Sequence, residues 1–93
     1  MIAVHPGRIL KRELAARQLS ANQLALALRL PSGRITDIIN GKRGISPDTA
    51  LRLARYFGNG ARFWLNLQTA YELAVTESAT GQKILDEVRP AAA

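Results

Sequence analysis

Arg34, Thr36 and Asp37, preceded by Ser32 and Gly33, are the residues of this 93-residue chain best suited to recognition chemistry. A guanidinium donates two parallel hydrogen bonds to the O6 and N7 of a guanine, so Arg34 is the first candidate for reading a base edge. Thr36 suits a thymine methyl or a phosphate, and the Asp37 carboxylate can accept from a cytosine N4. Asp37 also stands three residues after Arg34, where an intrahelical ion pair is an equal alternative. Ser32 and Gly33 begin the same face, glycine by letting the backbone come close to a groove. Just downstream, Asn40, Lys42, Arg43 and Ser46 suit phosphate oxygens, with capping of its own helix as the alternative for Asn40 and a solvated turn as the plainer use of the two cations.

Catalytic chemistry finds no comparable set. The chain has no cysteine and one histidine, which excludes thiolate sites and most metal-ligand combinations. His5 has no nucleophile or acid placed beside it, so its expected task is to fix the start of the helix that follows. The chain is therefore expected not to be an enzyme, and no cofactor is implied. A small RNA-cleaving enzyme fails on the same ground, and no strand pattern for such a fold is present.

Charge supplies the next constraint. The net charge is +6, and it is unevenly spread. Residues 1–62 hold eleven Lys/Arg against three Asp/Glu, whereas residues 63–93 hold two against four. A basic first two-thirds fits a polyanion such as nucleic acid, though a solvated basic surface explains composition alone equally well. The longest apolar run, Leu24-Ala-Leu-Ala-Leu28, is too short for a signal peptide core or a membrane span, so a cytoplasmic protein without membrane contact is expected.

The elements that must position these residues are helices, because apolar residues recur at helical rather than alternating spacing. The periodicity predicts a first helix over about 6–16, with Leu10 and Leu14 inward. A second starts at Ser20, whose capping box is completed by Gln23, and buries Leu24, Ala25 and Leu28. A third is expected from a Ser32 cap to Asn40, with Ile35, Ile38 and Ile39 inward and Gly41 closing it. Ser46-Pro47-Asp48 opens a fourth, burying Ala50, Leu53, Ala54 and Phe57 and stopping at Gly58. A fifth over about 61–75 places Phe63, Leu67, Ala70 and Tyr71 on one line. Trp64 lies off that line, and Trp64, Leu67 and Tyr71 are core or dimer contacts. The domain is thus expected over 1–75, with 76–93 a tail: a short helix bearing Ile84, Leu85 and Val88, and a frayed end at 90–93.

The second and third helices have the dimensions of a helix-turn-helix, with small Ala25 at the crossing and Ile35 and Ile38 inside. The glycine usual in such a turn is replaced by Arg29: either it takes a left-handed backbone at a cost of about 1 kcal/mol, or the turn is built differently, with Pro31 fixing the next helix start.

The blocks His5-Pro6-Gly7, Leu19-Ser20, Asn40-Gly41-Lys42-Arg43-Gly44-Ile45, Asp48-Thr49-Ala50-Leu51-Arg52-Leu53-Ala54 and Phe63-Trp64-Leu65-Asn66-Leu67-Gln68 resemble, in this order, the HigA family of antitoxins. That family sits within the phage-repressor-like (XRE) helix-turn-helix group. The match covers about residues 4–75; the segment between the first two helices is shorter than usual, and Arg29 departs from the family's glycine. The resemblance implies an all-α, five-helix repressor-type fold and a homodimer on an inverted-repeat operator of double-stranded DNA. It also implies neutralisation of a HigB-type toxin, an mRNA endonuclease encoded beside it, through a folded face. A stand-alone transcription regulator is the alternative that helix-turn-helix features alone do not separate.

Overall fold

His5 has extended backbone, and its Nδ1 accepts a hydrogen bond from the Gly7 N–H at 2.9 Å. The imidazole thereby caps a helix that Pro6, with its fixed φ, is already shaped to begin. In the computed structural model, which describes residues 3–92, this helix is α1 (Pro6–Ala16). It is followed by α2 (Ala21–Leu28), α3 (Arg34–Ile39), α4 (Pro47–Phe57) and α5 (Ala61–Glu87). The described residues contain no strand, and the architecture is the expected five-helix, all-α one.

The caps foreseen from sequence mostly form. Ser20 Oγ accepts from the Gln23 N–H at 3.0 Å while Gln23 Oε1 accepts from the Ser20 N–H at 2.9 Å, completing the capping box of α2. Ser46 Oγ accepts from the Thr49 N–H, Pro47 follows, and α4 stops at left-handed Gly58. Helix α3 behaves differently. Its N-cap is Gly33, not Ser32, and no side chain caps it. The Arg34 N–H donates to the Pro31 carbonyl at 3.1 Å, and Gly33 has φ 90 and ψ −13, the angles of a type II turn's third position. Ser32 is therefore spent inside a turn, and the helix begins one residue later than expected.

One core serves all five helices. Leu10 and Leu14 meet Leu24, Ala25 and Leu28, then Ile35, Ile38, Ala50 and Leu53, with Ile45 of the α3–α4 loop beneath them. Ile39, Ala54 and Phe57 are only half-buried at its edge. Trp64 lies at the centre with no exposed surface, its Nε1–H donating to Asn59 Oδ1 at 3.0 Å. This corrects the phase read for α5. Phe63 is 46% exposed, and the inward stripe runs through Ala61, Trp64, Leu65, Gln68, Tyr71 and Ala74, with Leu67 half-buried beside it. The stripe is masked in the sequence because Gln68 is polar and Ala74 only weakly apolar, so Phe63 sets the apparent phase.

Nor does α5 stop near Val75. It continues unbroken to Glu87, so Ile84 and Leu85 belong to α5 rather than to a separate helix. Nothing in 76–81 is a strong helix breaker except Gly81, and one glycine costs only about 1 kcal/mol. A helix of 27 residues is about 40 Å long, which gives the molecule its 52 × 24 × 22 Å shape. Residues 88–92 carry no regular structure; Ala93, the end of the expected frayed tail, lies outside the described residues. No helix among the described residues is long and apolar enough to cross a membrane.

Candidate nucleic-acid interface

The turn between α2 and α3 decides how α3 is presented. Arg29, at the position where a glycine is usual, adopts φ 60 and ψ 40, the left-handed conformation rather than a differently built turn. The Leu30 N–H donates to the Ala25 carbonyl at 2.9 Å and the Arg29 N–H to the Leu26 carbonyl, so the last α2 carbonyls are closed as a glycine would close them. Another side chain reinforces this end. Arg52 of α4 donates from Nη1 to the Leu28 carbonyl at 2.8 Å and from Nε to Asp48 Oδ2 at 2.8 Å. A cation bonded to a helix C-terminus favours its negative end, which helps offset the cost of the left-handed arginine. Nothing in its place in the sequence by itself gives Arg52 this role. Its i, i+4 spacing from Asp48 was a legible signal, but the Leu28 carbonyl was not.

Helix α3 is held on its inner side by Ile35 and Ile38, both fully buried. Its outer side carries Thr36 and Asn40, exposed, flanked by Arg34 and Asp37, half-buried. Ser32 is exposed and Gly33 half-buried, but both precede the helix rather than lie in it. At Gly33 the positive φ by itself calls for glycine, and open space lies where a Cβ would stand. Among the described residues, Arg34 and Asp37 form no ion pair, and neither they nor Thr36 spend a side chain on a hydrogen bond within the protein. Their polar groups are open to a ligand.

The α3–α4 loop is ordered by two devices. The first closes α3: Gly41, at φ 74, donates to the Ile38 carbonyl, and the Lys42 N–H to the Asp37 carbonyl at 2.9 Å. That paired closure fixes where Lys42 and Arg43 leave the helix, both exposed beside Asn40. The second is Gln68, whose Oε1 accepts from the Ile45 N–H at 2.8 Å while its Nε2 donates to Glu72 Oε1 at 3.1 Å. Gly44 lies against the same amide, where a Cβ would come 2.7 Å from Gln68 Nε2. Ser46, at the far end, is committed to capping α4 through Thr49. The loop thus presents Asn40, Lys42, Arg43 and the start of α4 in one fixed series.

Two positioning residues were missed in the sequence. Gly7 is one: a Cβ there would collide with the Ile38 carbonyl oxygen and lie 2.9 Å from its carbon, so α1 crosses α3 at backbone contact. Gln68 is the other, since nothing in one chain tells a loop clamp from a surface glutamine. Of the aromatic residues, Trp64 is core, whereas Tyr71 is half-buried and meets His5 edge-on at 4.8 Å between ring centres.

The arrangement is a six-residue helix with an open polar face, followed by a rigid basic loop. Such a shape can seat in a groove and grip phosphates on one side. Comparison with known proteins agrees with this geometry. The HTH_3 pattern, described as Helix-turn-helix, matches residues 10–64. Virulence-associated protein I of Dichelobacter nodosus is 54% identical over 78 residues, which are 83% of this chain and 72% of that protein. An addiction module antidote protein of the HigA family from Coxiella burnetii superposes with a TM-score of 0.94 at 50% identity, over 98% of this chain and 100% of that one. The antitoxin HigA of Pseudomonas aeruginosa, solved with the higBA promoter, gives 0.94 at 42% identity, over 98% and 100%. The chain belongs to the HTH_3 helix-turn-helix family, and its nearly full-length structural neighbours include HigA-family antitoxins.

Proposed function

We propose that this protein is an antitoxin that represses its own operon by major-groove DNA binding and neutralises a cognate HigB-type toxin by binding it. The observation that carries the DNA-binding half is the unspent polar face of α3 beside the fixed basic loop. Likeness along nearly the whole chain to an antitoxin solved with its promoter supports the same reading. As a homodimer, the protein would set one α3 into each half-site of an inverted repeat, about 34 Å apart. Arg34 and Thr36 would meet base edges, with Ser32, Gly33 and Asp37 at the margins. Asn40, Lys42, Arg43 and the Ser46 end of α4 would hold phosphates and set the register. Likeness to proteins named antitoxin and antidote supports the toxin-binding half.

Cells expressing the neighbouring small open reading frame, with and without this protein, provide the test. Growth arrest relieved by co-expression, with a complex that co-purifies, is the expected result. A harmless neighbour, or one toxic regardless, overturns the antitoxin reading and leaves a DNA-binding regulator. Failure to shift a duplex from its own promoter overturns the operator reading separately.

A further inference from the structure

Arg8, Lys11 and Arg12 share one face of α1 and, with Ala15 and Ile39 of α3, line a shallow groove beside the open face of α3. All three cations are exposed. The ion pairs found among the described residues lie elsewhere, joining Arg17 to Glu13, Arg52 to Asp48 and Lys83 to Glu87. The acid that α1 carries, Glu13, is turned roughly 140° about the helix axis from Arg8, and no groove-lining residue is acidic. Like charges at i, i+3 and i, i+4 repel, so the protein holds a row of cations with no ion-pair partner among the described residues.

The row is also rigidly tied to α3. Gly7 begins it and packs with its backbone on Ile38 and Ile39, where even a Cβ has no room. Ile39 forms the α3 side of the groove and is followed directly by Asn40 and the basic loop. The spacing between α3 and the α1 cations is therefore fixed before any ligand arrives.

We propose that the Arg8–Lys11–Arg12 groove is a second phosphate-binding surface, which holds the DNA backbone beside the groove that α3 occupies. This rests on the DNA-binding reading and extends the contact from the α3–α4 loop onto α1. A polyanion with regularly spaced charges fits a cation row along a helix, and its placement beside α3 makes the flanking duplex the nearest such ligand. Each phosphate neutralised releases counterions, so the surface adds affinity without base preference.

The full chain carrying Arg8→Gln, Lys11→Gln and Arg12→Gln together tests this by fluorescence anisotropy, on promoter duplex and on a scrambled duplex, across a salt series. The slope of log K against log salt is expected to become shallower by about 2–3, at roughly 0.9 per phosphate contact. Affinity at about 0.1 M salt should fall at least ~10-fold on both duplexes, with the promoter preference kept. Melting temperature should hold or rise, because mutual repulsion is removed; a drop points to a structural role and overturns the proposal. Unchanged slope and affinity overturn it too, and lost toxin or self-association in that same variant identifies a protein-docking surface. Loss of promoter preference in the unaltered protein sinks the operator reading instead, while the slope on scrambled duplex still decides the groove.

Discussion

Replacing Gly7 with alanine adds one methyl group where α1 crosses α3, and the structure fixes what it meets. The new Cβ would overlap the Ile38 carbonyl oxygen and come within 2.9 Å of its carbon and 3.0 Å of Ile39 Cα. All three are backbone atoms, so no rotamer change relieves the clash and the helices must separate. Overpacking of this kind costs about 1–3 kcal/mol, and the backbone target places Gly7→Ala at the upper end. Alanine's better helix propensity returns at most ~1 kcal/mol, less in a first turn where hydrogen bonding is incomplete. A net loss of about 2 kcal/mol is expected, a large share of the ~5–15 kcal/mol that holds a domain folded. For a chain of this size that is a fall of roughly 8–16 °C in Tm, read by circular dichroism at 222 nm. Because Ile38 and Ile39 shift with α1, promoter binding should weaken even where the variant remains folded. An unchanged or raised Tm would refute the close crossing and the rigid link between α1 and α3 built on it.

Arg29→Gly should raise stability by up to ~1 kcal/mol by relieving the left-handed arginine, and a lower Tm would show that this turn carries no strain. Gln68→Leu removes the acceptor for the Ile45 N–H, costing about 1 kcal/mol and speeding hydrogen exchange at that amide; unaltered exchange would exclude the clamp. Arg34→Ala should lose about 1–3 kcal/mol of discrimination at one base position, whereas Lys42→Ala should weaken all sequences alike and lower the salt slope by about 1. Identical discrimination profiles for Arg34→Ala and the unaltered protein, measured on a set of single-base promoter variants, would remove Arg34 from base reading.

Wherever a local rule suffices, the sequence determined the outcome. The His5-Pro6 start, the Ser20–Gln23 box, the Ser46-Pro47 start and the glycines at 41 and 58 rest on interactions spanning a few residues, and each appears where its residues predict. The inward residues of α1 and α2, and Ile35 and Ile38 of α3, were legible for the same reason, since amphipathic spacing there is unambiguous. For Arg29 the sequence named the position but left a left-handed backbone and a differently built turn both open, and the structure takes the first. Three features waited for the fold because their causes lie far off in the chain. The α5 phase depends on a loop 23 residues back that draws Gln68 inward despite its polarity. The role of Arg52 depends on a carbonyl 24 residues away. Gly7, in sequence one more small residue after a proline, becomes the closest helix crossing only when Ile38 is brought against it. Local propensity and capping thus wrote the helices, and long-range packing alone decided which of their faces meet and which are left for a partner.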